Sequence, residues 1–166
     1  MPRKILDTFK VEFLQILDEN GKTDAKLMPQ LSKDDIMKMY ELMVLTRVFD
    51  DKAFKLQRQG RIGTYAQSLG QEAAQIGSAF ALQNNDWVFP AFREHGIFIT
   101  RGMPLAQYLQ YWSGDERGMN IPSSINMFTV SIPVGTHIPH AVGCAWAMKL
   151  QPEKSVSVVY FGDGAT

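Results

Sequence analysis

The chain is poor in everything that would cross-link it, anchor it in a bilayer or draw it to a polyanion. It has 166 residues and one cysteine, which excludes an internal disulfide and any multi-cysteine metal site. Lys plus Arg and Asp plus Glu both number 17, so no net field recruits nucleic acid or an anionic membrane. No apolar run approaches the ~18 residues of a membrane span, and the opening Met1-Pro2-Arg3-Lys4 lacks the apolar stretch of a signal peptide. A cytoplasmic protein is the expectation. A Gly-x-Gly-x-x-Gly phosphate loop is also missing, which argues against a generic nucleotide-binding domain. What remains, 45% apolar and 20% charged residues, is ordinary globular composition with enough apolar surface for a core. Cys144, inside Ala141-Val142-Gly143-Cys144-Ala145-Trp146-Ala147, reads as a small buried core residue rather than a reactive thiol.

Residues 1–30 read as an N-terminal arm, with a short strand at Val11–Leu17 and turn chemistry at Asp18-Glu19-Asn20-Gly21. Residues 31–166 read as one α/β unit. Ser32 can cap a helix whose first turn carries Asp34 and Asp35, where the helix dipole favours acids. Met39, Leu42, Phe49, Ala53 and Leu56 recur at helical spacing until Gly60, and the added Ile36, Tyr40 and Met43 suggest a helix buried on most sides. A second helix is expected from Gly70 to Leu82, with Ala73, Gly77 and Ala81 as a ridge for close packing. Trp87-Val88-Phe89 forms a short strand closed by Pro90, and a third helix runs from Pro104 to Gly114. A loop over 114–127 and an extended stretch Phe128–Pro133 follow. Thr136 then caps a helix with Pro139 in its first turn, running to Leu150. Ser155–Phe161 is a buried strand. Strands and helices alternate from residue 70, the pattern of a parallel sheet flanked by helices.

The chemistry collects at the end of that last strand. Gly162-Asp163-Gly164 places an acid at the carboxyl edge of a parallel sheet, where α/β proteins bind ligands. The two glycines would let the backbone turn and approach a ligand, and the N–H groups of Gly164 and Ala165 would face a phosphate. Asp163 supplies an oxygen ligand for a hard cation such as Mg²⁺. By itself the tripeptide is a weak signal, because many strands end in such a turn.

Four further motifs surround it in order: Gln59-Gly60-Arg61-Ile62-Gly63-Thr64-Tyr65, Gly70-Gln71-Glu72-Ala73, Phe92-Arg93-Glu94-His95-Gly96, and Ser131-Ile132-Pro133-Val134-Gly135-Thr136-His137-Ile138-Pro139. Together with Tyr160-Phe161-Gly162-Asp163-Gly164-Ala165-Thr166 they resemble, over roughly residues 35–166, the α subunit of the decarboxylating component of pyruvate and branched-chain 2-oxo acid dehydrogenase complexes. The resemblance implies the thiamine-diphosphate-binding fold, incomplete in this stretch. It also implies thiamine diphosphate and Mg²⁺ as cofactors. It sets Phe92 and Arg93 near the diphosphate, Arg93 as a permanent bidentate cation. Ile132 and Val134 would support the aminopyrimidine and wall the substrate pocket. Asp163 would be the metal ligand, and Gly164 and Ala165 would meet the diphosphate. Phe92 stands where Tyr is commoner, so a hydroxyl contact is lost. Ala66 stands where some relatives carry a histidine.

Ser131, Pro133, Thr136 and His137 match a loop that holds a monovalent cation in some members. A Gln at the last position would offer a carbonyl, and His137 is the poorer ligand. His95, after Arg93-Glu94, reads as a satisfied structural histidine, His140 has no assigned role, and Glu72 reads as a helix cap.

The implied reaction is oxidative decarboxylation of a 2-oxo acid, with acyl transfer to a lipoyl group on a partner acyltransferase. Gly118-Met119-Asn120-Ile121-Pro122 inclines the reading towards pyruvate over branched-chain acids. A β subunit, in an α2β2 assembly, would supply the pyrimidine pocket and activating glutamate. The second metal ligand and a later histidine loop are expected beyond Thr166, so the catalytic groups are expected there and in the β subunit. The sequence therefore reads as a fragment, inactive and poorly stable alone. An acetoin dehydrogenase or another thiamine-diphosphate enzyme is the alternative, and a non-catalytic scaffold is the second.

Overall fold

The computed structural model describes residues 3–152 and 154–166. Met1 and Pro2, which open the expected arm, lie outside the described residues. The chain divides into two compact units, Met1–Lys33 and Asp34–Thr166.

In the first unit the expected strand at Val11–Leu17 does not form. Only Leu17 pairs, in one antiparallel bridge to Thr23, around a turn whose Gly21 has φ +79°. Val11, Phe13, Leu14 and Leu17 are exposed, so the stretch packs against no sheet.

The second unit begins with α1 (Lys33–Arg58), which carries Asp34 and Asp35 in its first turn and Lys55 and Arg58 in its last. Gly60, at φ +69°, ends the run as expected. Contrary to expectation α1 is not buried on most sides. Its buried residues are Thr46, Phe49, Asp50 and Ala53, one stripe at helical spacing, while Ile36, Tyr40 and Val48 face solvent. The next helix, α2 (Glu72–Phe80), turns Glu72, Gln75, Ile76 and Ala79 inward. Its small-residue ridge faces outward: Ala73, Gly77 and Ala81 are exposed, and a Cβ on Gly77 would meet nothing within 4 Å.

Two short strands, β1 (Trp87–Phe89) and β2 (Ser157–Val159), pair in parallel with Val88 opposite Val158. The expected stretch Phe128–Pro133 contributes only at its start, where Met127 bridges Val88 in parallel and Phe128 N–H donates to Val88 C=O at 2.8 Å. β2 is half-buried rather than buried, since it lies on the other flank of β1 from that bridge. Asp86 locks the sheet's entry: its carboxylate accepts from Gln83 N–H at 2.7 Å and Val156 N–H at 2.8 Å.

Between the strands run α3 (His95–Thr100), α4 (Leu105–Trp112) and α5 (Ile138–Lys149). Helix α3 was not foreseen. A short 3-10 turn, Glu116–Met119, interrupts the expected loop and packs on α4. Gly118 makes this possible: a Cβ there would sit 2.7 Å from Tyr111 Cα and 2.8 Å from Gln107 O. Helix α5 begins after His137, not Thr136, and has no side-chain cap; the Thr136 hydroxyl bonds Pro133 C=O instead. It packs on both strands. Cys144 on α5 is half-buried, not fully buried.

An aromatic core forms where α1, α3 and α4 meet. Phe49, Tyr65, Tyr108 and Trp112 enclose His95, with Tyr65 stacked on the imidazole at 4.8 Å and Phe98 stacked on Tyr108. These helices flanking parallel strands make the α/β class expected from the sequence.

Candidate functional site

Parallel strands deliver their carboxyl ends to the same edge of a sheet, and the residues that follow them meet there. β1 is continued by buried Pro90, then Ala91, Phe92 and Arg93. β2 is continued by Tyr160, whose N–H still reaches Phe89 C=O at 2.9 Å, then by Phe161, Gly162 and a 3-10 turn over Asp163–Ala165. A crevice of about 400 Å³ opens between these two ends. Phe92, Arg93, Val134, Asp163, Gly164 and Ala165 all line it. Of the expected site residues only Ile132 does not; it is 46% exposed elsewhere on the same loop.

Arg93 is exposed and held on two sides. Its Nη1 donates to Gln67 C=O at 2.8 Å, and its guanidinium lies 5.4 Å from the centre of the Phe92 ring. Among the described residues that is the one hydrogen bond its side chain donates, and the planar fork keeps donors for a ligand. Asp163 is exposed at the same crevice, a carboxylate open to a cation.

The glycines act differently from expectation. Gly162 has an extended backbone, and neither it nor Gly164 has positive φ. What they contribute is room: a Cβ at either position would meet nothing within 4 Å. Ala165 N–H donates to Gly162 C=O at 3.0 Å, closing the turn, so it does not stand free for a phosphate as the sequence suggested.

The polar lining residues not foreseen as part of the crevice are Gln71, Glu94 and His137. Burial pushes the Glu94 carboxyl above its ordinary range, against the pull of neighbouring backbone N–H groups and of His137. His137 is 1% exposed and bonds Tyr160 C=O at 2.6 Å. Their place beside Arg93 and within the glycine-containing loop was the available signal. It was read for Arg93, and for His137 only as a candidate cation ligand; Gln71 carried no such signal.

His95, by contrast, lies outside the crevice with both nitrogens satisfied, Nδ1 by Tyr108 Oη at 2.7 Å and Nε2 by Ala66 C=O at 2.7 Å. Because a carbonyl can only accept, Nε2 carries the proton and Nδ1 accepts from the tyrosine. Burial holds the imidazole down to about 4, as for a structural histidine. His140 is exposed and stacks on Phe128 at 5.1 Å. Glu72 accepts Gly70 N–H at 3.1 Å just ahead of α2, and also pairs with Arg47, which holds its carboxyl down to about 2. Among the described residues no group of three or more His, Cys, Asp or Glu side chains could hold a metal ion. No described helix is long and apolar enough to cross a membrane.

The sequence model of the family described as dehydrogenase E1 component matches residues 40–166. Three proteins named pyruvate dehydrogenase E1 component subunit alpha are similar to the chain. The protein from Staphylococcus aureus is 36% identical over 158 residues, covering 95% of this chain and 43% of its own length. That from Bacillus cereus is 40% identical over 154 residues, covering 92% and 42%. That from Acholeplasma laidlawii is 41% identical over 150 residues, covering 90% and 44%. The chain thus spans less than half the length of the curated relatives it matches.

Proposed function

The chain belongs to the dehydrogenase E1 component family, and from that membership we propose that it is α-subunit sequence of a thiamine-diphosphate-dependent 2-oxo acid dehydrogenase that decarboxylates pyruvate. The names of its relatives favour pyruvate over branched-chain acids. In this reading residues 31–166 are the first part of the cofactor-binding domain and residues 1–30 an arm.

The observation that carries the reading is that a permanent cation, Arg93, and an open carboxylate, Asp163, line one crevice at the carboxyl ends of two parallel strands. That donor set fits a magnesium-bound diphosphate: Arg93 for phosphate oxygens, Asp163 for the metal. The open space over Gly162 and Gly164 lets the anion approach the backbone. Glu94 is the crevice's other carboxyl, and burial raises its affinity for a proton. Val134 forms part of the wall and Ile132 flanks it. When bound, thiamine diphosphate supplies the nucleophilic carbon and electron sink that decarboxylation needs. This chain's residues bind and orient it; further side chains at the reacting centre come from a β subunit in an α2β2 assembly. A lipoyl-bearing acyltransferase receives the acyl group.

Calorimetric titration of thiamine diphosphate into the full α–β assembly tests the assignment. With Mg²⁺ present, Asp163→Asn and Arg93→Ala should each weaken binding at least tenfold, ~1.4 kcal/mol. Wild-type affinity in both variants would sink it.

A further inference from the structure

The segment Ser131–His137 forms a wall of the crevice, and its hydroxyls are turned on one another. Ser131 Oγ and Thr136 Oγ1 lie 2.7 Å apart, and Thr136 Oγ1 donates to Pro133 C=O at 2.9 Å. Ser131 Oγ is also 3.3 Å from that carbonyl. Either hydroxyl can donate to the other while the one that accepts donates to Pro133 C=O, so both protons are used within the set.

A monovalent cation needs the opposite arrangement. It replaces water with several oxygens, lone pairs pointing at the ion and protons pointing away. Here the three oxygens bond to one another instead of turning free lone pairs to an ion. The fourth position adds no oxygen. His137 donates Nε2–H to Tyr160 C=O at 2.6 Å, leaving Nδ1 a buried acceptor without a partner among the described residues. An imidazole lone pair suits zinc, copper or iron, not a hard alkali ion. The residues at the family's cation loop therefore do not fit the cation.

We propose that this loop is held without a monovalent ion, and that His137 replaces the ion as a positioning residue. Its bond ties the loop to Tyr160, one residue past β2, and Tyr160 N–H is itself fixed on Phe89 C=O. The tie therefore runs from the loop through both strands. Gly135, at φ +81°, brings the loop's backbone against Ala165, where a Cβ would lie 3.7 Å from the Ala165 methyl. The clamp thereby sets how the loop meets the Gly162-Asp163-Gly164 turn. Such a bond is present at every ionic composition, whereas a bound ion would couple the loop to cation concentration.

The test uses the full chain without thiamine diphosphate, so its outcome does not depend on the cofactor assignment. Thermal midpoint and hydrogen exchange over residues 131–138 are measured in potassium, sodium and tetramethylammonium chloride at equal ionic strength. Wild type should give the same midpoint and protection in all three. A saturable gain in potassium or sodium would overturn the proposal, and this arm needs no variant. His137→Gln, which restores a carbonyl, should lose protection over 131–138 in tetramethylammonium and regain it saturably in potassium. Protection equal to wild type in every salt would also overturn the proposal, because His137 would then be dispensable to the loop.

Discussion

His95 is enclosed by Tyr65, Tyr108, Phe49 and Trp112, with no exposed surface, and its proton affinity in the folded state is far below that of a free imidazole. Desolvation is the main cause, pushing it down to about 4, with Arg93 acting in the same direction. The hydrogen bond to Ala66 C=O and the Asp50 carboxylate, 3.9 Å from Nε2, pull the other way and lose. The unfolded chain then binds a proton below about pH 6.5 that the native chain refuses, so stability falls as pH drops from there towards 4 and levels off below it. The loss attributable to His95 is ~2 kcal/mol by about pH 5 and ~3 kcal/mol by about pH 4.

Other groups titrate differently. Glu72, held down to about 2 by Arg47, contributes stability that is lost only as pH falls from about 4.5 towards 2. Glu94, raised by burial, opposes the trend. Comparison with His95→Gln cancels both, because the amide can still donate to Ala66 C=O and accept from Tyr108 but cannot titrate. Urea unfolding of the full chain followed by tryptophan fluorescence gives the measurement. The variant should start less stable by ~1–2 kcal/mol near pH 7.5 and close the gap near pH 5. With a slope of ~2 kcal/mol per molar urea, the wild-type midpoint should fall ~1 M relative to the variant across that range. A wild-type-minus-variant difference that stays flat between pH 7.5 and 5, or an imidazole resonance titrating near 6.5, would refute the burial argument.

Two stability predictions rest on other parts of the fold. Gly118→Ala should cost more than ~2 kcal/mol in urea unfolding, since its methyl would collide with α4 backbone at Tyr111 and Gln107, which cannot swing aside. Asp86→Ala should cost ~2–4 kcal/mol, because it strands the N–H groups of Gln83 and Val156 at the start of both strands; hydrogen exchange should quicken first at Val156.

What was legible in the sequence was what local chemistry dictates. Pro90 and Gly162 mark strand ends, Gly60 marks a helix end, and the parallel rule placed Gly162-Asp163-Gly164 at the sheet's edge; Phe92 and Arg93 came from the family resemblance. Helix α3 was hidden because His95-Gly96-Ile97-Phe98-Ile99-Thr100 has strand-like composition. Tertiary contact overrides that preference: Gly96 N–H donates to Gln75 Oε1 at 2.9 Å, with Ile97 and Phe98 wholly buried. Val11–Leu17 is the reverse, strand-like residues with no sheet to receive them. The α2 ridge and the outer face of α1 were read as packing surfaces because spacing reports which residues share a face, not whether anything covers it.

The polar core could not be read at all, since its members are far apart in sequence and each is individually unremarkable. Yet that core determines where the crevice's cation stands. Asp50, fully buried on α1, accepts from Tyr65 Oη at 3.0 Å and from Ser68 N–H at 2.9 Å, while His95 grips Ala66 C=O between them. The strap 65–68 is thereby fixed at three successive points. Gln67, within that strap, presents the carbonyl that receives Arg93. A carboxylate buried at this depth is costly unless fully bonded. Here the bonds that satisfy it also hold the strap rigid, so the guanidinium is aimed from a fixed backbone oxygen rather than from a mobile loop. Preorganisation of this kind reduces the ordering cost of binding an anion without adding any contact to it. It follows that Asp50→Leu, which keeps roughly the volume but removes the oxygen that accepts from both Tyr65 Oη and Ser68 N–H, should weaken anion binding at Arg93 without touching the crevice. Titration with inorganic diphosphate would read that loss, and an unchanged affinity in a folded variant would show that Arg93 is aimed by its own side-chain packing on Phe92 instead.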